Sequence, residues 1–347
     1  MAKIPSVALA HAQSRGPALA NRPSLAPAPG RQLTYSIEPP LGMFFRRCAA
    51  AIEIGYNLPR IEGLPVGDSG PHVTADQLVA FRRDGFLLVK GLSSAEELAS
   101  LRVLYDRMFS ERRGWETGDL FDMIGLDSPE QEPALPQLVR TSRYEPLLRQ
   151  TKLASNARSI AEQLLGPKLK NDLEHAILKP AFNGAATPWH QDDAFHPKGS
   201  GIGESISIWM PLQDVTVESG CMLYIRGSNQ GPLYPHRSPH NDPRIHGLET
   251  ISPPDMTNCV AVPMLAGDAV IHLSRTLHGA GVNTTDQPRR AYILGYSVRT
   301  RWDHIFTRDH PWNLEKQTAR EQRVLHSVPL VKRTMRRLKL FVRGKTF

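Results

Sequence analysis

The chain has 347 residues, of which 40% are apolar, so it can bury a large core and is not disordered as a whole. Its three cysteines are far apart, which argues against a disulfide scaffold and against a cysteine-rich zinc module. The formal net charge is +8, and residues 320–347 account for all of it with nine basic side chains and one acidic side chain. The first 319 residues are therefore neutral, which argues against a body that binds nucleic acid.

The N-terminal region differs in composition from the rest of the chain. Residues 1–40 are rich in proline and alanine, which predicts a disordered arm, and residues 41–70 predict an amphipathic segment followed by a linker. No stretch approaches the roughly 20 apolar residues of a membrane-spanning helix, and the start lacks the continuous apolar core of a secretory signal. We therefore expect a cytoplasmic protein with one main domain over residues 71–319 and a basic tail over residues 320–347.

The first part of the main domain carries helix signals with a strand between them. Thr74 and Ser94 each begin a capping-box pattern, so each is expected to open a helix. Gly85 is expected to stop the first helix, and Phe86–Val89 predicts a strand. A further helix is predicted over residues 154–165.

Beyond about residue 173 the pattern changes to short apolar runs separated by clusters of Gly, Pro, Asn and Asp. Regularly interrupted short strands are typical of a β-sandwich or barrel. Helices come first and strands second, without βαβ alternation, which disfavours a Rossmann or TIM-barrel architecture. The predicted strands contain residues 175–178, 205–210, 222–225, 269–271 and 291–294.

A candidate metal site begins with His190 and Asp192, two residues apart. On a strand such side chains point to the same face, whereas Asp193 points away. A non-haem iron site of the two-histidine, one-carboxylate type needs this pair and a second histidine from elsewhere. His278 is the candidate, because it follows a turn and a strand and precedes small residues that let a ligand approach. His272 is the alternative, although its place in an apolar run favours a core-lining role.

Arg289 follows His278 after eleven residues and stands at the head of another predicted strand. A guanidinium binds a carboxylate through two parallel hydrogen bonds, which lysine cannot copy. Arg289 therefore suits a co-substrate with a distal carboxylate, such as 2-oxoglutarate. Strand alternation makes the neighbouring Arg290 the outward-facing one.

Four segments resemble the phytanoyl-CoA dioxygenase family. Residues 179–197 (KPAFNGAATPWHQDDAFHP) resemble its proximal metal motif, and residues 267–296 resemble its distal His/Arg motif. Residues 219–229 are similar to the strand and turn between these motifs, and residues 74–98 to the usual start of these proteins. Four motifs in the right order, over about residues 70–300, are more specific than any one of them.

The resemblance implies a mainly β fold with flanking helices (α+β) and a double-stranded β-helix, or jelly-roll, core of the cupin-like kind. It implies an Fe(II)- and 2-oxoglutarate-dependent dioxygenase that consumes O2 and releases succinate and CO2. The carboxylate of Asp192 favours hydroxylation or a related oxidation, because halogenating relatives carry a small residue at that position.

The resemblance also assigns roles to particular side chains. His190, Asp192 and His278 are the implied iron ligands. For the co-substrate, the implied contacts are Arg289, Gln191 and Trp209, although Trp209 suits plain core packing equally well.

The sequence leaves the substrate and the tail open. We expect a small apolar or amphipathic metabolite, either a secondary metabolite or an acyl-type compound. Two other functions remain: a metal-binding jelly roll with hydrolase or isomerase chemistry, and an adaptor that acts through its basic tail. No nucleic-acid partner is expected from the neutral body, and the oligomeric state stays open. The tail has an apolar helical face that could contact a membrane surface or pack on the body, formed by Val331, Met335, Leu338 and Val342.

Overall fold

The computed structural model describes residues 71–182, 184–198, 202–299, 308–329, 332–335 and 338. The expected N-terminal arm and linker, residues 1–70, lie outside this range, as does most of the tail beyond residue 329. Of the tail's apolar face, Met335 and Leu338 are described, and both are exposed. No helix among the described residues is long and apolar enough to cross a membrane.

Five α-helices have both ends within the described residues, and residues 332–335 are helical as well. The first begins as predicted, because the Thr74 hydroxyl accepts a hydrogen bond from the backbone of Gln77 and the Gln77 side chain accepts one from the backbone of Thr74. It ends at Gly85, whose φ of 87° lies in the left-handed region. The helices are α1 (Ala75–Asp84), α2 (Ala95–Ser110), α3 (Lys152–Leu165), α4 (Pro311–Leu314) and α5 (Ala319–His326).

Thirteen β-strands lie in the described residues, and six of them contain the apolar runs that predicted strands, some extending beyond those runs. The thirteen strands are β1 (Phe86–Val89), β2 (Leu120–Asp122), β3 (Pro136–Val139), β4 (Leu169–Lys179), β5 (Thr187–His190), β6 (Ile202–Pro211), β7 (Met222–Ile225), β8 (His236–Arg237), β9 (Glu249–Thr250), β10 (Cys259–Val262), β11 (Ala269–Leu273), β12 (His278–Ala280) and β13 (Arg289–Arg299). β2 and β3 come before residue 173, where the sequence predicted no strands after β1, because β3 pairs with β4 and β2 with β3 at the edge of a sheet.

Two antiparallel sheets form the core. The larger has seven strands in the order β1-β11-β6-β13-β4-β3-β2, and the smaller has four in the order β10-β7-β12-β5. Apolar side chains from both sheets pack together between them, for example Val270 and Ile293 from the larger sheet with Tyr224 and Val260 from the smaller. This is the jelly-roll core with flanking helices that the sequence predicted.

Helices α1, α2 and α3 cover the outer face of the seven-stranded sheet. Strand β6 shows why, because its side chains alternate between the two faces. Ile208 packs outward into a cluster that includes Leu101 of α2 and Ile160 of α3, whereas Trp209 packs inward between the sheets. The large sheet therefore has an apolar outer face under helices and an inner face that is free to line a cavity.

Gly85, which ends α1, and Gly227 both have a left-handed backbone, with φ and ψ of 87° and −4° at Gly85 and of 78° and −1° at Gly227. Alanine at either position adopts a left-handed conformation that costs about 1–2 kcal/mol. A Cβ on Gly85 would also lie 2.6 Å from Oγ1 of Thr276 and 2.7 Å from Oδ1 of Asn229, whereas the nearest atom to one on Gly227 is the carbonyl oxygen of Arg83 at 3.8 Å. Denaturant unfolding should therefore show a larger loss of stability for Gly85→Ala than for Gly227→Ala, and equal losses would contradict this.

Candidate active site

The three side chains predicted as metal ligands lie together at one end of the space between the sheets. One ligand atom each from His190, Asp192 and His278 lies within 4.8 Å of the others. Nε2 of His190 and Nε2 of His278 are both 3.6 Å from Oδ1 of Asp192. Within the described ranges, no other group of three His, Cys, Asp or Glu side chains meets this geometry.

Strand pairing brings the two histidines face to face. Strands β5 and β12 are antiparallel neighbours, with His278 directly opposite His190. The expectation that Asp192 continues the strand of His190 is wrong in one detail, because β5 ends at His190 and Asp192 opens a short 3-10 turn, Asp192–Phe195. Gln191 between them keeps an extended backbone (φ −120°, ψ 130°), so side chains two apart still share a face.

Hydrogen bonds fix which ring nitrogen of each histidine faces the carboxylate. Nδ1 of His190 lies 2.8 Å from the carbonyl oxygen of Pro188, and Nδ1 of His278 lies 2.9 Å from that of Thr276. A carbonyl only accepts, so each Nδ1 carries the proton and each Nε2 lone pair is directed toward Asp192. Burial, together with the neighbouring histidines, holds the pKa of His278 well below its usual range, so its ring is neutral.

The two oxygens of Asp192 have different neighbours. Oδ2 accepts hydrogen bonds from the Ser207 hydroxyl at 2.7 Å and from Nε2 of His272 at 3.2 Å. Nδ1 of His272 in turn lies 3.0 Å from the hydroxyl of Tyr224. Oδ1 is thus the oxygen left for a metal, and His272, the alternative ligand candidate, holds the carboxylate from the other side.

Asp192 is ionised in this arrangement. Burial disfavours the charge, but the neighbouring side chains of His278, His190 and His272 outweigh that cost and hold the pKa of the carboxyl well below its usual range. An ionised carboxylate and imidazole nitrogens that carry a free lone pair are what a metal ion requires of its ligands.

Arg289 is buried at the head of β13 and lines the same cavity. One of its terminal nitrogens donates to the carbonyl of Gly220 at 2.9 Å, whereas its Nε has no hydrogen-bond partner. The guanidinium carbon lies 5.0 Å from the centre of the Trp209 ring, and burial lowers the pKa of Arg289 to about 10. A buried guanidinium with an unsatisfied donor is costly unless a ligand supplies an acceptor.

Lys179 is a second buried cation that the sequence motifs did not identify. It lies opposite Arg289 in the pairing of β4 with β13, and its Nζ donates to the carbonyls of Ala280 and Gly281. Burial and the charge of Arg289 hold the pKa of Lys179 well below its usual range. Within the described part of the chain neither side chain forms an ion pair, and Arg289, which lines the cavity, is suited to an anion. A single lysine in a strand gives no sequence signal of this kind.

Gln191 does not reach the cavity, although the sequence analysis expected it at the co-substrate. Its Nε2 donates to the carbonyls of Pro232 and Arg275 at 3.0 and 2.7 Å, and its Oε1 accepts from the backbone nitrogen of Tyr234 at 2.8 Å. The physical reason is strand alternation, because the residue between two inward-facing ligands must point outward. Gln191 therefore anchors the ligand turn to neighbouring loops.

A cavity of about 680 Å³ extends from the ligand cluster along the inner face of the seven-stranded sheet. Neighbouring strands β11, β6, β13, β4, β3 and β2 each contribute an inward side chain, so the cavity crosses most of the sheet. In that order the side chains are His272, Ser207, Ile293, His175, Gln137 and Phe121.

Gln137 and His175 form a polar pair on the cavity wall. Nε2 of Gln137 lies 2.8 Å from Nδ1 of His175, whereas Oε1 of Gln137 is buried without a partner. Burial lowers the pKa of His175 to about 4, so the ring is neutral, and with Nδ1 accepting, its Nε2 carries the proton. The pair can offer a ligand one acceptor and one donor. Neither residue belongs to a sequence motif, so only the structure identifies them.

A buried cluster of two histidines and one carboxylate inside a jelly roll, with a buried arginine beside it, defines the class of non-haem iron oxygenases. Residues 81–291 match the family model of phytanoyl-CoA dioxygenase (PhyH), and the chain belongs to this family. The family, and with it the class of 2-oxoglutarate-dependent iron dioxygenases, is the one that the sequence motifs predicted.

Individual relatives support the same assignment. EvdO2 from Micromonospora carbonacea var. aurantiaca is 36% identical, with a TM-score of 0.58 over 72% of this chain and 98% of that chain. It has also been solved in complex with 2-oxoglutarate. The ectoine dioxygenase of Bordetella parapertussis is 25% identical over 75% of this chain and 88% of its own length. A probable alpha-ketoglutarate-dependent hypophosphite dioxygenase of Stutzerimonas stutzeri is 26% identical over 66% of this chain and 80% of its own length.

The contact of His272 with Asp192 should affect how tightly the site binds Fe(II). His272→Phe removes a donor to Oδ2, so we expect Fe(II) to bind about 10- to 100-fold more weakly, as is typical when a hydrogen-bond partner of a metal ligand is lost. His272→Gln keeps a donor and should lose less. Anaerobic calorimetric titration with Fe(II) measures both without reference to turnover, and an unchanged affinity in His272→Phe would contradict the prediction.

Proposed function

We propose that this enzyme uses Fe(II), 2-oxoglutarate and O2 to hydroxylate a small amphipathic metabolite, with release of succinate and CO2. The observation that carries the proposal is the shared cavity. His190, Asp192 and His278 converge in it, and Arg289, whose Nε has no hydrogen-bond partner, lines the same space. A metal ligand set and a carboxylate-binding group within one cavity are what 2-oxoglutarate chemistry requires.

The donor set suits iron. Two imidazole nitrogens and one carboxylate oxygen on one face leave coordination positions open for a co-substrate and an oxidant. Iron held there supplies the redox chemistry that couples oxidation of 2-oxoglutarate by O2 to oxidation of the substrate. The protein's own part is to hold the three ligands in fixed protonation states, which the carbonyls of Pro188 and Thr276 do for the histidines.

We assign the far carboxylate of 2-oxoglutarate to Arg289. The guanidinium is already oriented by its bond to Gly220 and by the ring of Trp209, so little conformational entropy is lost when a carboxylate pairs with it. An incoming carboxylate therefore offsets the cost of burying the charge of Arg289.

The cavity wall supports an amphipathic substrate. Its lining includes apolar side chains such as Leu135, Ile177 and Ile293 together with the donor–acceptor pair of Gln137 and His175. Apolar walls with a few placed polar groups are typical of pockets that bind and orient small molecules. A hydroxyl or amide group of the substrate fits the Gln137–His175 pair, because such a group both donates and accepts.

Asp192→Ala removes the carboxylate ligand, and substrate-dependent succinate formation should fall to background. Fe(II) binding, measured separately, should weaken in the same variant, because two imidazoles remain. Asp193→Ala is the matched control: Asp193 pairs with Arg275 at 2.7 Å, not with the cluster. Full turnover in Asp192→Ala would refute the ligand assignment.

Arg289→Ala should raise the KM for 2-oxoglutarate about 10- to 100-fold, since it removes a charge-assisted, bidentate contact. Arg290→Ala serves as its control, because Arg290 is the next residue and pairs with Asp106 at 2.6 Å. Succinate release measured against 2-oxoglutarate concentration gives both values. An unchanged KM would remove Arg289 from its role, and no binding of 2-oxoglutarate by the unaltered enzyme would favour hydrolase or isomerase chemistry.

A further inference from the structure

A segment near the C-terminus, residues 309–321, forms one wall of the cavity. Five of its side chains line the cavity, and all lie beyond residues 81–291, the part matched by the family model. This wall is therefore separate from the motifs that hold iron and 2-oxoglutarate. Its lining side chains are Asp309, Asn313, Lys316, Arg320 and Glu321.

This wall is firmly attached to the body. Just after it, Arg323 donates to Asp127 at 2.6 Å and packs 3.8 Å from the ring centre of Trp115. On the other side, Trp312 and Asn313 both donate to the carbonyl oxygen of Ala194 at 2.9 Å, within the turn that Asp192 opens. The boundary expected between domain and tail at residue 320 falls inside helix α5, so the first charges of the tail belong to the cavity wall.

Arg320 has spare hydrogen-bonding capacity at this wall. Its guanidinium carbon lies 4.1 Å from the ring centre of Phe121, its Nε donates to the carbonyl of Gly118 at 2.9 Å, and one terminal nitrogen lies 3.2 Å from Nε2 of His246. These contacts use two of the five N–H groups of a guanidinium. Arg320 takes part in none of the ion pairs among the described residues, and burial lowers its pKa to about 10.

Lys316 is a second basic side chain in this wall. It is 4% exposed, and its Nζ donates to the carbonyl of Gly247 at 3.1 Å and lies 5.1 Å from the ring centre of Phe195. Lys316 and Glu321 each have a further interaction, and Asp309 is half-buried with no bonded partner among the described residues. Arg320 is therefore a buried basic side chain of this wall with N–H groups left for a ligand.

Sheet order places the Arg320 end of this wall away from the metal ligands, whereas Trp312 and Asn313 contact the turn that Asp192 opens. Ser207, which contacts Asp192, is on β6, and Phe121, which lies under Arg320, is on β2. These strands are separated by four spacings in the order β6-β13-β4-β3-β2. At about 4.8 Å per spacing this is roughly 19 Å along the curved sheet, and the direct path across the cavity is shorter.

We propose that Arg320 binds an anionic group of the substrate, a carboxylate or a phosphate, at the end remote from the carbon that is oxidised. This inference rests on the proposed function and narrows its amphipathic substrate to an acidic one. The planar guanidinium stacked on Phe121 leaves its edge available for two parallel hydrogen bonds to such a group.

The test uses the full-length enzyme with Fe(II) and 2-oxoglutarate and measures succinate release above the substrate-free rate. The library consists of matched pairs, each carboxylate with its methyl ester and each phosphate monoester with its alcohol. We expect the acidic member of a pair to stimulate release, and the two arms distinguish carboxylate from phosphate. Arg320→Gln should raise the KM for that acid about 10- to 100-fold and change the KM for its neutral partner much less.

Three further variants sharpen the result. Arg320→Lys keeps the charge and should recover part of the affinity, which a merely structural role would not predict. Lys332→Gln removes an exposed charge of the basic tail that lies outside the cavity, and it should leave the KM unchanged. Asp309→Asn tests whether the substrate is a cation, because a cationic substrate would depend on Asp309 instead.

Failure of the anion-binding role of Arg320 and failure of the proposed function give different results. Stimulation by neutral or cationic compounds alone, no effect of Arg320→Gln on the KM, or dependence on Asp309 would each overturn the anion-binding role of Arg320. If the proposed function itself were wrong, the unaltered enzyme would fail to bind 2-oxoglutarate and would form no succinate with any compound.

Discussion

The carboxylate of Asp192 contacts side chains from both sheets of the jelly roll. One oxygen faces His190 and His278, which are on paired strands of the small sheet. The other accepts hydrogen bonds from Ser207 and His272, which lie opposite each other on paired strands of the large sheet. A shift in either sheet would move one set of contacts relative to the other, so the ligand geometry depends on the packing of the whole core.

Buried basic side chains without an acidic partner among the described residues lie at two places along the cavity. Near the ligands, Arg289 is buried opposite Lys179, and neither is paired with an acid. Farther along, Arg320 is held by a backbone carbonyl and an aromatic ring. Buried charges without partners cost free energy, and proteins retain them where a ligand supplies the opposite charge. The neutral charge balance of residues 1–319 conceals this, because a sum over the sequence does not report where charges are buried.

Local patterns in the sequence were sufficient for much of the fold and of the candidate site. The capping residues Thr74 and Ser94 open α1 and α2 as predicted, since a cap depends only on residues three positions away. The pairing of His190 with Asp192 on one face also followed from alternation. Strand lengths were less predictable: β4 begins at Leu169, several residues before its apolar run, because pairing with β13 extends it through polar residues.

By itself, the sequence determined which side chains face the same way along one element, and hence the histidine–aspartate pair, the inward-facing position of Arg289 and the family. These follow from a backbone periodicity that is the same in any fold. Only the tertiary structure decided that Gln191 turns out of the cavity into loop contacts, that His272 supports Asp192, and that Gln137, His175 and Arg320 share one wall. Those residues are far apart in the chain and meet through strand order and the docking of the C-terminal segment. The physical reason is that such contacts arise from sheet pairing and core packing, which no local spacing encodes.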